Sequence, residues 1–383
     1  MAIFTNQLLI QVVPRLQPGR CGVSDQAILL ASELKTAFGI STAFIVLNSN
    51  EPCNIPFPVI RCAPPELQKT CSSLKGDRPG TILVHLSGYG YSADGAPTLL
   101  AAALKMVRAS EQFRIAVYFH ELFASGKPWR SAFWYSHRQR KAVRNIAEEC
   151  DLLVTNTEHH AEWLEREPVK QTATPVQILP VFSAVGETRE RVLMAGRERV
   201  MAVFGLAATR QRAYKALLEQ ARLLSDLGIQ EILDIGQEFN VPCKLHGIPV
   251  RRMGELAAGD LSGLFSRTMF GFVQYASFEL AKSSVFASFC SQGTIPVLAT
   301  PFSELVDGLK DGVHLISPQT AADVLSSGLE RCSAEAWRWY SAHGIHVHAA
   351  TYAKWLRQAC TERGLSTRAI TGEGRERTGV ATG

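Results

Sequence analysis

The strongest constraint in the sequence is an alternation that stops and then starts again. Short apolar runs at 8–13 (LLIQVV), 42–47, 57–60, 81–87, 115–120, 151–157 and 176–181 are separated by helix-length stretches. Among those, 98–109 has the spacing of an amphipathic helix, and 137–149 and 158–166 also read as helices. A polar segment, 183–199, interrupts the pattern, which restarts at 200–205 and runs through a helix at about 213–227 ending at Gly228. Strand EILDIG, the segment KLHGIPV, a helix face of Leu256, Leu261, Leu264 and Phe265, and strands at 269–275 and 295–299 follow. Alternation of this kind gives parallel, doubly wound sheets with helices on both faces. A length of 383 residues exceeds what one core usually serves. The expectation is therefore α/β, with Rossmann-like domains at 1–182 and 199–360 and a junction at 183–198. Residues 361–383 lack apolar periodicity and are expected to form a disordered tail.

Composition narrows the class. With 46% hydrophobic and 20% charged residues, the chain reads as globular. A net charge of +5 suits a phosphate-bearing ligand or an anionic surface and is too weak to argue for nucleic acid. Nine scattered cysteines without a C-x-x-C pair read as reduced thiols, and no run approaches the ~20 apolar residues of a spanning helix. No charged stretch followed by an apolar one marks a signal peptide, so the expected location is cytoplasmic.

The chemistry concentrates in RTMFGFVQYASFELAKSSVFASFCSQGTIPVLAT, residues 267–300. A buried strand is followed at once by Ser277-Phe278-Glu279, then a small-residue helix at about 281–291, Gln292-Gly293 and a second apolar strand. Ligands of open parallel sheets bind at the carboxyl ends of strands, where the next helix offers free N–H groups. Ser277, Glu279, Lys282, Ser283 and Ser284 therefore lie where a phosphorylated ligand could be held. His120 ends the 115–120 strand at the corresponding edge of the first half, beside Glu121. Gly19 and Gly22 permit a tight loop after the first strand, with Ser24-Asp25 as a cap for a helix at about 26–38.

This order resembles the donor-sugar site of retaining glycosyltransferases with the GT-B fold, of the group 1 or family 4 type. There the corresponding stretch usually reads S-x-x-E-G-F-G-x-x-x-x-E-A-x-A-x-G-x-P-V. Glu279 matches the first glutamate, and Gly293 with Pro296 matches the closing turn. The second glutamate is missing, its place falling on Ala287 or Ser288. Gly254-Glu255-Leu256 and the segment Pro301 to Gly312, which includes Glu304, also follow the family's pattern. The resemblance implies that Glu279 and His120 act at the sugar and that an Arg and a Lys after the first strand of the second domain bind the diphosphate. Arg210 and Lys215 have that spacing, with Arg212 as a competitor, and Lys282 and Gly22 supplement the phosphate site. Ser277, Ser283, Ser284, Ser288 and Glu304 are the expected sugar or nucleoside contacts, Ser288 as a substitute for the lost carboxylate.

A basic, aromatic run offers a surface for an acceptor or an anionic membrane: Trp129, Arg130, Trp134, Arg138, Arg140 and Lys141. An ordinary solvated helix face accounts for it equally well. His343, His346 and His348 suit no single metal-binding geometry, and no D-x-D pair occurs, so neither metal nor cofactor is expected. The expected activity is transfer of a sugar from a nucleoside-diphosphate donor to a glycan or lipid-linked acceptor, with retention, in cell-surface polysaccharide or glycoconjugate synthesis. The alternatives are a non-hydrolysing nucleotide-sugar epimerase on the same fold and a non-catalytic two-domain binding or scaffold protein.

Overall fold

The computed structural model describes residues 7–17, 21–124, 131–166 and 176–372. The first seven strands are β1 (Leu8–Val13), β2 (Ser41–Val46), β3 (Val59–Arg61), β4 (Gly80–Leu86), β5 (Phe113–Phe119), β6 (Leu152–Thr155) and β7 (Gln177–Ile178). They form one parallel sheet in the order β3-β2-β1-β4-β5-β6-β7. The remaining six are β8 (Glu198–Phe204), β9 (Glu231–Ile235), β10 (Lys244–Leu245), β11 (Ile248–Gly254), β12 (Thr268–Val273) and β13 (Ile295–Leu298). Their order is β10-β11-β9-β8-β12-β13, parallel except for the β10–β11 pair. Strands β1, β4 and β12 are buried throughout, as helices on both faces require. Chain order reverses between β1 and β4 and again between β8 and β12. Connections leave those strand pairs in opposite directions, which opens a crevice at their carboxyl ends.

One apolar core runs between the sheets. It joins Leu9, Tyr118 and Phe182 to Phe265, Phe286, Tyr340 and Tyr352. The main chain ties the halves as well, Val181 N donating to Ala281 O at 2.8 Å. The last helix, Ile345–Gly372, returns to the first sheet's helix Gly22–Phe38. There His346 stacks on Phe38 at 5.3 Å and meets Glu33 at 2.9 Å, while Arg114 lies 5.1 Å from the Trp355 ring. This helix continues twelve residues past 360 to Gly372 (372 − 360), into the stretch expected as a tail. Residues 361–371 contain no proline and a single glycine, so nothing halts a helix whose nucleus is already formed. Residues 373–383 lie outside the described residues. The expected helix at 213–227 is two helices, Ala207–Leu217 and Ala221–Asp226, and His246 Nε2 meets the Leu217 carbonyl at the break, 3.1 Å away. Among the described residues no helix is long and apolar enough to cross a membrane.

Candidate functional site

Two adjoining cavities of about 360 and about 520 Å³ occupy the cleft and share Tyr275 and Glu279 as walls. Segments after β1, β4, β5 and β6 line the smaller one on one side: Gly22, Gln26, Ser87, His120, Glu121 and Asn156. Segments after β12 line the other: Tyr275, Glu279, Lys282, Ser283 and Ser284. Residues separated by up to 262 positions (284 − 22) thus meet because each follows a strand end.

The wall after β12 is built in two steps rather than as one helix from 281. A 3-10 segment, Ser277–Lys282, leads to Ser283, whose Oγ accepts from Phe286 N at 3.1 Å and caps the helix Ser284–Ser291. That helix points its positive end at the cavity. Glu279 borders both cavities, and its Oε2 also accepts from Ala276 N at a long 3.4 Å. Ser277 and Arg212 line the larger cavity with Gln274 and Phe302.

Four expected contacts are placed elsewhere. Arg210 is fully buried, with all three guanidinium nitrogens engaged: Nε donates to Gly205 O at 3.0 Å, Nη1 to Asp234 at 2.5 Å and Nη2 to Gln237 O. Phe239 lies beneath it at 4.5 Å. A buried cation must be paired, and Asp234 supplies the pairing inside the fold rather than in the cleft. Two positions on, Arg212 lies on another face of the same helix and reaches the larger cavity. Lys215 is exposed and lines neither cavity, as is true of Glu304. Ser288 is fully buried and donates to Ser284 O at 2.6 Å, with Ser183 Oγ 3.4 Å away. Its neighbour Ala287 is equally buried, so a glutamate restored at either position would bury a carboxylate rather than reach a ribose.

On the opposite wall, the helix starts at Gly22, earlier than the capping pattern at Ser24 suggests. Ser24 instead pins the loop after β1, its Oγ donating to Arg15 O at 2.9 Å and accepting from Gln17 N at 3.2 Å. Among the described residues, a Cβ added at Gly22 would meet nothing within 4 Å. His120 is held by a partner that sequence reasoning missed. Its Nε2 lies 3.1 Å from His85 Nδ1, and His85 Nε2 lies 2.6 Å from Gln11 Oε1. The clue was present, since a glutamine and a histidine inside buried strands must find polar partners. Glu121, the next residue, is exposed at the cavity rim. Burial, then His85 and His348, holds His120 well below the usual imidazole value, and burial with His348 takes His85 down to about 3. His120 is thus a neutral hydrogen-bonding group at pH 7, not one poised to titrate there.

Two of the C-terminal histidines are packed inside the fold. His348 Nε2 meets Pro180 O at 2.9 Å and His343 packs on Trp339 at 4.3 Å. Asp307 bridges the cleft's flank by accepting from Glu158 N at 2.6 Å. Of the basic, aromatic run, Trp129 and Arg130 lie outside the described residues. Trp134, Arg138, Arg140 and Lys141 are exposed on the helix Ser131–Glu148, Arg138 paired with Asp94 at 3.2 Å and Arg140 4.5 Å from the Phe123 ring.

No protein-family model matches the chain, and no curated protein matches it in sequence. Solved structures do. An alpha-glucosyltransferase in complex with UDP and a 13-mer DNA containing a HMU base is 10% identical, with TM-score 0.58 over 92% of this chain and 99% of that one. The same kind of enzyme with UDP-glucose and DNA containing an abasic site is 12% identical, with TM-score 0.56 over 88% and 95%. An alpha,alpha-trehalose 6-phosphate synthase from Burkholderia multivorans is 12% identical, with TM-score 0.54 over 94% and 100%. Similarity at this level carries the fold, and the fold is GT-B.

Proposed function

We propose that this protein is a glycosyltransferase that moves a sugar from a nucleoside diphosphate to an acceptor hydroxyl. The observation that carries the reading is the polarity of the smaller cavity. Lys282 and the Ser284 helix start stand on one wall, and neutral His120 with amide side chains stands on the other. A nucleoside diphosphate would place its phosphates against Lys282, the helix N–H groups and Arg212, where departing negative charge is stabilised. The sugar would then lie between Glu279 and His120. In a retaining transfer the bond from C1 to the β-phosphate oxygen breaks as the acceptor oxygen bonds to C1 from the same face. The acceptor's proton passes to the leaving phosphate, so no protein nucleophile and no metal is needed. Names of similar structures include UDP, UDP-glucose and, for some, DNA. We assign a glycan or lipid-linked acceptor instead, because the net charge is only +5 and the cavities are lined by Lys282 and Arg212 rather than a basic stripe, while Trp134 and Lys141 lie exposed on the helix Ser131–Glu148. Peripheral contact of that helix with an anionic membrane belongs to the same proposal, as does a place in cell-surface polysaccharide synthesis.

Calorimetry with UDP, GDP, ADP and dTDP tests the binding step. A charged hydrogen bond contributes ~1.5–3 kcal/mol, so Lys282→Ala is expected to weaken the best binder by roughly ten- to a hundredfold. Lys215→Ala, outside both cavities, is expected to leave affinity unchanged. The reverse pattern, or no binding by any of the four, would refute the reading.

A further inference from the structure

Two amide side chains in the smaller cavity have an unsatisfied acceptor each. Gln26 is 4% exposed and donates Nε2 to Phe182 O at 3.2 Å, while its Oε1 has no partner. Asn156 is 1% exposed and donates Nδ2 to His120 O at 2.9 Å, and its Oδ1 has none either. Reversing either amide would set oxygen against a carbonyl oxygen, so the main chain decides which atom is left over. Both residues line the cavity, on the same wall as His120. A buried amide oxygen without a partner is unfavourable, and a ligand donor would relieve that penalty.

We infer that Gln26 and Asn156 form a hydroxyl-recognition site that orients the transferred sugar, and thus that the sugar end of the donor faces the first sheet. The inference rests on the proposed function and deepens it. Neutral acceptors repel phosphate oxygens and attract O–H donors, which assigns the phosphates to the Lys282 wall and the polyol to this one. An ammonium-bearing ligand would meet Lys282 across the same cavity. His120, whose carbonyl already holds Asn156, completes the wall as a neutral group able to hydrogen-bond a further hydroxyl.

The test is a set of double-mutant cycles by calorimetry. The probes are UDP, UDP-glucose and the 2-, 3-, 4- and 6-deoxy analogues of UDP-glucose, with the GDP or ADP series in their place if that base binds better. In the wild type, at least one deoxy analogue is expected to bind about three- to tenfold more weakly than the parent. In Gln26→Met or Asn156→Leu, both close in shape, that particular hydroxyl should no longer matter, while the affinity for the nucleoside diphosphate alone stays within about twofold. Should either variant fail to fold, the wild-type deoxy series and the other variant still decide the matter. Deoxy analogues that all bind as the parent does, or an identical deoxy penalty in both variants, would overturn the inference alone. Absence of binding by every nucleoside diphosphate would remove the proposed function beneath it.

Discussion

Shifting from pH 7 to pH 5 is expected to destabilise the folded chain by about 5 kcal/mol, and the cause is a set of buried imidazoles. Burial is the largest influence on each: it takes His85 and His343 down to about 3 and His348 down to about 4. All three are less than 9% exposed. Their unfolded value is near 6.5, so below that pH the unfolded chain binds protons that the folded chain refuses. Stability therefore falls as pH drops through 6.5, with each histidine contributing about 2 kcal/mol by pH 5. Asp307 acts in the opposite direction. Burial raises it to about 6, so its contribution is full below the ordinary aspartate value and is lost as pH rises through 6. On acidification it returns about 1 kcal/mol, which leaves the histidines dominant. Urea unfolding at pH 5, 6 and 7 checks this, and a midpoint that does not move would contradict it.

Arg210→Ala is expected to destabilise the protein by about 3–5 kcal/mol, the usual result of stripping one partner from a buried ion pair. Asp234, whose side chain is 5% exposed, would be left without its cation, and the carbonyls of Gly205 and Gln237 would lose their donor. The surrounding loop is built to admit the guanidinium. Gly236 has φ of 138°, and a Cβ there would sit 2.4 Å from Gly205 O and 3.0 Å from Arg210 Nε. Arg210→Met combined with Asp234→Leu should recover most of the loss, because an apolar pair of similar volume removes both charges together. Guanidinium chloride unfolding separates this structural role from ligand binding. A variant as stable as the wild type but unable to bind a nucleoside diphosphate would return Arg210 to the site.

These two cases show what the sequence can and cannot reveal here. Gly22, His120, Glu279, Lys282, Ser283 and Ser284 converge on one cavity because each follows a strand, and strand order in a parallel sheet sends those ends to one side. That inference needs only alternation and burial. The choice between Arg210 and Arg212 was not legible, since it depends on where Asp234 of β9 lies, and spacing along one helix carries no such information. Ser288 failed for a related reason: the helix Ser284–Ser291 is buried around nearly its whole circumference, so a small polar residue on it packs rather than contacts ligand. Gln11, His85 and Asn156 were readable only as polar residues inside apolar runs, and Gln26 only as a polar residue at a helix start. The partners that give them meaning come from other strands and helices.

Incubation with a panel of nucleoside-diphosphate sugars, followed by mass analysis of the products, tests the central claim most directly. The wild type is predicted to release nucleoside diphosphate from at least one donor and to add the corresponding sugar mass to an acceptor. His120→Ala is predicted to turn over at least about a hundredfold more slowly at saturating donor, since losing one preorganised hydrogen-bonding group at the reacting centre costs ~10²–10³ in rate. Interconversion of the donor into an isomer of equal mass, or binding with no turnover of any donor, would contradict the assignment.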